Sequence, residues 1–151
     1  IHLMGSSMGG FVSLKYLTEY ENNIKSLITI ATPIDLKGLF RDNVANKNPS
    51  ELPDQGYTSV QGIELRNTFF KEINEINIEP HIKKIKIPFL IIHGLNDRVV
   101  SISNAKRLEK LLDSNTGSKF VIIEKGDHSL TGDDELEIIK ENIQLWISQY
   151  K

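Results

Sequence analysis

The first ten residues, IHLMGSSMGG, constrain the fold of this chain more than any other stretch. An apolar, strand-like run ends at Met4, and apolar residues at helical spacing follow from Val12. Between them, Gly5-Ser6-Ser7-Met8-Gly9 fits the pattern G-x-S-x-G, in which two glycines leave room for a serine in a strained turn with an exposed hydroxyl. On this interpretation Ser7 is a nucleophile. The alternative is a glycine-rich helix entry with an ordinary capping serine, and the motif alone does not decide between them.

The rest of the chain alternates apolar runs with amphipathic segments, which predicts a parallel sheet flanked by helices. Further strands are predicted at Lys25 to Ala31, Ile87 to His93 and Lys119 to Ile123. The run from Ile87 is continuous and apolar, as in strands buried on both faces of a sheet. A turn is predicted at Asn115-Thr116-Gly117. With 151 residues, 39% of them hydrophobic, the chain can bury the core of a single α/β domain.

The last helix is predicted from about Asp134 to Gln149. Its apolar residues recur at spacings of three, four and three, which predicts one buried stripe. The stripe consists of Leu136, Ile139, Ile143 and Trp146.

The segment from Asp35 to about Pro80 interrupts the alternation, and we interpret it as a lid inserted into the domain. It is polar and irregular from Asn43 to Pro53, and a helix is predicted from about Ile63 to Ile76. The predicted helix places Leu65, Phe69, Ile73 and Ile76 on one stripe, with Phe70 beside them. The alternative to substrate contact is that this stripe only docks the segment onto the domain.

Composition excludes several kinds of partner. Eighteen basic and twenty acidic residues give a net charge of −2, so neither a nucleic acid nor an anionic membrane is an expected partner. The chain has no cysteine, and its four histidines have no metal-binding spacing, so we expect no metal and no cofactor. No apolar run is long enough for a membrane span. We expect a cytoplasmic protein, although Ile1 falls inside a strand and leaves open a signal segment before it.

Polar side chains follow three of the predicted strands: Ser7, Asp97 in Asn96-Asp97-Arg98, and His128 in the loop Lys125 to Ser129. Loops at the carboxyl ends of parallel strands carry the chemistry in open α/β sheets. For His128 alone, a surface histidine is the ordinary alternative. His2 and His93 are interpreted as structural, and His81 as a surface residue.

Asp35 competes with Asp97 for the acidic position, because it also follows a predicted strand. We favour Asp97, since it comes directly after the strand-ending Gly94. The interval from Asp97 to His128 also has room for one helix, one strand and a loop.

Through GSSMGG, IPFLIIHGLNDRVV and KGDHSL, the chain resembles the C-terminal half of an α/β-hydrolase of the esterase and monoacylglycerol-lipase type. Nucleophile, acid and histidine follow one another in the order of that family. The resemblance covers the whole chain and implies that the four strands are neighbours in chain order. There are two departures. Ser6 stands where many relatives carry histidine, and the upstream half of the family's sheet is absent from this sequence.

The resemblance implies a serine hydrolase that cleaves carboxylic esters through an acyl-enzyme, with thioesters, amides and C–C bonds as variants. Ser7 would attack, His128 would act as the base, and Asp97 would orient the histidine. The backbone N–H of Met8 would be one oxyanion donor, and the family plan puts the second before Ile1. The alternative is a non-catalytic fragment or interaction module that keeps part of the fold.

Apolar residues near these loops and in the insertion are candidates for an acyl pocket; they are Ile34, Phe40, Tyr57, Phe69, Phe70 and Val99, with Met8 beside them. The expected partner is therefore a small acyl ester. We also expect self-association through the edge of the incomplete sheet, because unpaired strand edges recruit other chains.

Overall fold

The computed structural model describes residues 1–20, 23–43, 53–60, 62–112 and 117–150. Its elements, in chain order, are β1 (His2–Ser6), α1 (Met8–Glu19), β2 (Ser26–Ile30), α2 (Leu36–Asn43), β3 (Tyr57–Val60), β4 (Ile63–Arg66), α3 (Asn67–Glu75), α4 (Glu79–Ile82), β5 (Phe89–Gly94), α5 (Ser103–Leu111), β6 (Lys119–Ile123) and α6 (Asp133–Gln149). Most of the irregular stretch predicted between Asn43 and Pro53 lies outside the described residues, as do the first two residues of the turn predicted at Asn115-Thr116-Gly117.

The chain divides into two compact units. Residues Ile1–Ile34 and Ile78–Lys151 form the first, here called the body, and Asp35–Asn77 form the second, here called the inserted unit. The second unit begins where the sequence predicts the insertion to begin, and ends three residues before Pro80.

Within the described residues, the body contains one four-stranded sheet in the order β1-β2-β5-β6. All three neighbouring pairs are parallel. Every residue of β5 is buried, as its apolar run predicts. The predicted α/β class, with helices flanking a parallel sheet and strands neighbouring in chain order, is confirmed.

The helix α6 packs on the sheet through a shorter stripe than the sequence predicts. Trp146 is buried in a cluster with Ile28, Leu90 and Ile92, and Ile139, Ile143 and Tyr150 pack against that cluster. Leu136 is 49% exposed, so the prediction that it is buried is wrong. The periodicity is correct, but the stripe begins at the second turn and extends to Tyr150, because the first turn lies beyond the packed cluster.

A buried serine hydroxyl links α6 to the first two strands. The indole N–H of Trp146 donates to Ser26 Oγ at 2.9 Å, and Ser26 Oγ lies 2.8 Å from His2 Nδ1. Since the indole can only donate, Ser26 Oγ is the acceptor of that bond, and its oxygen and hydroxyl hydrogen can pair with either tautomer of His2. This accounts for a fully buried serine in an otherwise apolar strand.

The inserted unit contains an antiparallel hairpin that sequence reasoning missed. β3 pairs with β4 in the register Tyr57↔Arg66 to Val60↔Ile63. The helix predicted from Ile63 is therefore wrong over its first four residues; α3 begins at Asn67. The available signal was Gly62 just before the β-branched Ile63; Gly62 has a positive φ of 83°, which hairpin turns favour.

The later start also changes which face of α3 is buried. Asn67, Phe70 and Ile73 are buried, whereas Phe69 and Ile76 are only partly buried. The predicted stripe through Leu65 is wrong, because Leu65 lies in β4 rather than on the helix.

β1 pairs with β2 alone among the described residues. Ile1 and Met4 are 77% and 60% exposed. Self-association through this strand stays a prediction. No helix in the described part of the chain is long and apolar enough to cross a membrane.

We expect Ser26→Ala to lower the free energy of unfolding by about 1–3 kcal/mol, because the buried indole N–H of Trp146 then has no acceptor. Urea unfolding followed by tryptophan fluorescence measures the change. Ser13→Ala is the matched control, since that hydroxyl only bonds the Gly9 carbonyl within α1, and should change stability by less than about 0.5 kcal/mol. Equal effects of the two substitutions would contradict the role of Ser26.

Candidate active site

Ser7 occupies a strained turn between β1 and α1. Its backbone has φ 49° and ψ −122°, a conformation that side chains other than glycine rarely adopt. The Ser7 N–H donates to the Ile30 carbonyl at 2.8 Å, and the Ser7 carbonyl accepts from the N–H groups of Gly10 and Phe11. The turn is thus held from the neighbouring strand and from the first turn of the helix, and Ser7 makes no side-chain capping bond.

Two glycines allow the helix to start this close to the strands. A Cβ atom on Gly5 would lie 2.5 Å from the backbone of Gly9 and Gly10, and one on Gly10 would overlap the buried side chain of Thr32. A Cβ on Gly9 would meet nothing within 4 Å. The sequence pattern predicts that Gly5 and Gly9 provide the space for this turn. In the structure, Gly5 and Gly10 provide it.

The loops after β5 and β6 pack against each other through their backbones. Leu95 N–H donates to the Ile123 carbonyl and Asn96 N–H to the Gly126 carbonyl, each at 2.9 Å. Gly94 lies so close to Gly126 that a Cβ there would overlap the Gly126 carbonyl. This contact fixes the distance between the loop that carries Asp97 and the loop that carries His128.

Ser7, His128 and Asp97 form one continuous chain of hydrogen bonds. Ser7 Oγ lies 3.1 Å from His128 Nε2, and His128 Nδ1 lies 2.8 Å from Asp97 Oδ2. An ionised carboxylate only accepts, so Nδ1 carries the proton and donates to Asp97, while Nε2 accepts from the serine hydroxyl. The three side chains that the sequence singles out, 121 positions apart at their extremes, thus lie together.

Asp97 accepts three hydrogen bonds in the body, and a further imidazole N–H lies close to it. Its Oδ1 accepts from the N–H groups of Val99 at 2.9 Å and Val100 at 2.8 Å, and its Oδ2 lies 3.3 Å from His93 Nε2 as well as close to His128. Burial raises the pKa of Asp97, but hydrogen bonds from His93, His128, Val100 and Val99 outweigh it and lower that pKa to about 2. Sequence reasoning predicted His128 beside the carboxylate but missed His93, Val99 and Val100. The available signal was His93 four positions before Asp97.

The competing acid, Asp35, has a local role in the inserted unit. Its Oδ1 accepts from the N–H of Gly38 at 2.8 Å, at the start of α2. This is the bond of a helix-capping aspartate.

The geometry in the body allows a defined sequence of proton movements. His128 Nε2 is within reach of the serine proton, and its imidazolium form would be stabilised by the carboxylate behind it. Met8 is the first residue of α1, so its N–H has no partner within the helix. That N–H is in the position the sequence predicts for an oxyanion donor, directly after Ser7.

The residues predicted for an acyl pocket have different environments. In the body, Ile34 is buried and Val99 is partly buried. In the inserted unit, Phe40, Phe69 and Phe70 form a cluster of edge-to-face rings with centroids 5.3–5.7 Å apart, and Phe70 is fully buried. Tyr57 is 58% exposed, with the Arg66 guanidinium over its ring. Their assignment to substrate binding stays a prediction.

Residues 1–150 match the sequence profile of the prolyl oligopeptidase family. No curated protein matches the chain in sequence. Among solved structures, Est1E from Butyrivibrio proteoclasticus is similar, with a TM-score of 0.84 and 22% identity over 99% of this chain and 61% of that one. A second structure of Est1E has ferulic acid bound.

The esterase domain of a Rhodothermus marinus protein has a TM-score of 0.76 and 24% identity, over 98% of this chain and 60% of that one. A monoacylglycerol lipase from Paleococcus ferrophilus has a TM-score of 0.72 and 14% identity, over 99% of this chain and 68% of that one. At these identities the likeness establishes the fold. The chain spans about 60% of the length of the first two structures.

We expect Gly10→Ala and Gly5→Ala to displace the Ser7 turn and to destabilise the protein by about 1–3 kcal/mol or more, because the added methyl group meets Thr32 or the helix backbone. Gly9→Ala is the matched control on the same turn and should keep or slightly raise stability, since alanine favours a helix. Thermal unfolding of the three variants measures the difference. A Gly9→Ala variant as unstable as the other two would contradict the packing described for the turn.

The lowered pKa of Asp97 predicts a specific loss of stability in acid. The carboxylate is favoured in the folded state, so its contribution is present above pH 3.8 and is lost as the pH falls toward 2. From this group we expect a loss of about 2 kcal/mol in the free energy of unfolding. Urea unfolding at pH 5, 4, 3 and 2 should show a shallower pH dependence for Asp97→Asn than for the wild type. Parallel curves would contradict the prediction.

Proposed function

Because the chain belongs to the prolyl oligopeptidase family, we propose that this α/β-hydrolase fold acts as a serine hydrolase on carboxylic esters, through an acyl-enzyme formed on Ser7. The observation that carries the proposal is the continuous hydrogen-bond chain from Ser7 Oγ through His128 to Asp97. The strained turn that carries Ser7, and the esterases and lipases among the structural neighbours, support it.

In the proposed reaction, His128 Nε2 takes the proton of the Ser7 hydroxyl while Oγ attacks the ester carbonyl carbon. The tetrahedral intermediate collapses, the C–O bond to the alcohol breaks, and His128 returns the proton to the leaving alcohol. Water then attacks the acyl-enzyme with His128 again as base, which releases the acid and restores Ser7. Asp97 keeps the imidazole in one tautomer and stabilises its charged form throughout.

The proposed oxyanion donor in this chain is the Met8 N–H. The second donor is proposed to precede Ile1, as the resemblance implies. Loss of one oxyanion donor costs on the order of 3 kcal/mol, a hundredfold or more in rate.

We assign the inserted unit, predicted from the sequence as a lid over residues 35–80, to substrate selection. The chain leaves the body at Ile34, just after the carboxyl end of β2 and therefore at the edge of the sheet where Ser7 follows β1. In chain order, this is a place where a segment that covers an active site can be inserted.

A second candidate substrate is a peptide. The family description names an oligopeptidase, and the same three side chains would cleave an amide by the same steps. An activity panel of p-nitrophenyl esters, methyl ferulate and a prolyl p-nitroanilide separates the two. Faster turnover of the anilide than of any ester would replace esters by peptides in the proposal.

We expect Ser7→Ala to abolish labelling by a fluorophosphonate probe as well as ester turnover, with little loss of stability. His128→Ala should cost about as much as Ser7→Ala, because members of a triad act as a unit. Labelling and ester turnover of both variants are measured in the 151-residue chain and in the chain extended upstream of Ile1. Labelling that persists without Ser7 would overturn the assignment of the nucleophile.

Asp97→Asn and Asp35→Asn form a matched pair for the acid. The first should remove most of the activity, since it favours the wrong histidine tautomer. The second should leave activity largely intact, because asparagine keeps the oxygen that accepts from Gly38. The reverse ranking would move the acid to Asp35.

A further inference from the structure

His93 is a buried histidine outside the Ser7–His128–Asp97 chain. It lies near the end of β5, is 1% exposed, and points its Nε2 at two acceptors. The distances are 2.8 Å to the Val100 carbonyl and 3.3 Å to Asp97 Oδ2. One imidazole nitrogen therefore lies between the turn that follows Asp97 and the carboxylate itself.

The contacts define the tautomer of His93. A carbonyl only accepts, so Nε2 carries the proton. Nδ1 is buried and has no hydrogen-bond partner among the described residues, so a second proton there would have no acceptor in that part of the chain. A buried nitrogen without a partner is a cost that a purely structural position could avoid with an apolar side chain.

On the basis of the proposed function, we infer that His93 is a positioning residue for Asp97. Its Nε2 hydrogen bonds the Val100 carbonyl and so fixes the turn whose N–H groups hold the carboxylate, and the same N–H lies 3.3 Å from Asp97 Oδ2, the oxygen that meets His128. The N–H groups of Val99 and Val100 fix only Oδ1. Without His93, the Val100 carbonyl loses its imidazole donor and the oxygen that faces His128 loses the N–H beside it, so the rotation of the carboxylate is restrained from one side alone.

The tautomer of His128 depends on the same geometry. His128 can accept the serine proton on Nε2 only while Nδ1–H is bonded to Asp97. A carboxylate that turns away releases the ring to its other tautomer, and the serine then has no base. His93 thus acts on turnover through Asp97, without touching the substrate.

Asparagine and glutamine at position 93 separate this role from simple packing. The glutamine amide nitrogen reaches about as far as imidazole Nε2, whereas the asparagine amide reaches only as far as Nδ1. We expect His93→Asn to lower kcat about tenfold or more with KM little changed, because the bond that fixes the Val100 carbonyl and the N–H that faces the buried carboxylate are both lost. His93→Gln should recover most of that loss. Rates are expressed per fluorophosphonate-reactive site, so unfolded protein does not count.

Proton NMR gives a readout that needs no turnover. The strongly downfield Nδ1–H resonance of His128 should be present in the wild type and in His93→Gln, and weakened or absent in His93→Asn. Nitrogen-15 shifts of the wild type should place the His93 proton on Nε2. If the protein neither labels nor turns over, the proposed function fails, while these spectra still test the position of Asp97.

Two results would overturn the inference. One is a His93→Asn variant that keeps both the kcat and the downfield resonance of the wild type. The other is a wild-type spectrum with the His93 proton on Nδ1, which is decisive even if neither variant folds. Equal losses of melting temperature in both variants, with unchanged kcat per reactive site, would assign His93 to packing alone.

Discussion

The hydrogen-bond ladder of the parallel sheet continues past the ends of its strands, and the arrangement of the candidate site depends on this continuation. Ser7 N–H bonds the Ile30 carbonyl, Ala31 N–H bonds the Ile92 carbonyl, and Leu95 N–H bonds the Ile123 carbonyl. Each bond ties the first residue after one strand to a residue at or near the end of the next strand. Because the strands are parallel, all three loops leave the same edge of the sheet, and side chains far apart in sequence meet there. The apolar run of β5 at the centre, buried on both faces, makes this edge rigid.

Asp97 is the buried charge that this backbone arrangement holds in place. A carboxylate whose side chain is fully buried is unfavourable unless every lone pair has a donor. The backbone of Val99 and Val100 and the two imidazoles supply those donors, and together they hold the pKa of Asp97 well below its usual range. The same bonds that keep the carboxylate ionised also fix its orientation. The same hydrogen bonds therefore stabilise the folded protein and position the carboxylate, and a substitution that removes a donor should affect both.

Sequence patterns predicted the parts of this structure that follow from strong local signals. The strands and the residues after them were recoverable, because apolar runs bounded by Gly94 or by the Ser7 motif have few other interpretations. The hairpin β3–β4 was missed, since Leu65 also fits a helical spacing with Phe69 and Ile73, and the glycine turn between short strands is a weaker signal. The role of Gly10 and the donors to Asp97 depend on contacts with Thr32 and His93. Such contacts form only when the strands are side by side, and one sequence does not contain them.

Backbone strain is concentrated at the same edge of the sheet. Among the described residues, those other than glycine with positive φ are Ser7, Ala31 and Leu130, each at 49°. They follow β1, β2 and β6. Such conformations cost on the order of 1–3 kcal/mol each, and they persist only where the surroundings determine them. Ala31 and Leu130 are buried in the cluster with Trp146, and Asp127 Oδ1 accepts from the Leu130 N–H. The core beneath the loops thus holds the backbone in the strained turns that bring Ser7 and His128 within hydrogen-bonding distance. Substitutions in that core, far from Ser7, should therefore act on the site by relaxing these turns before they unfold the protein.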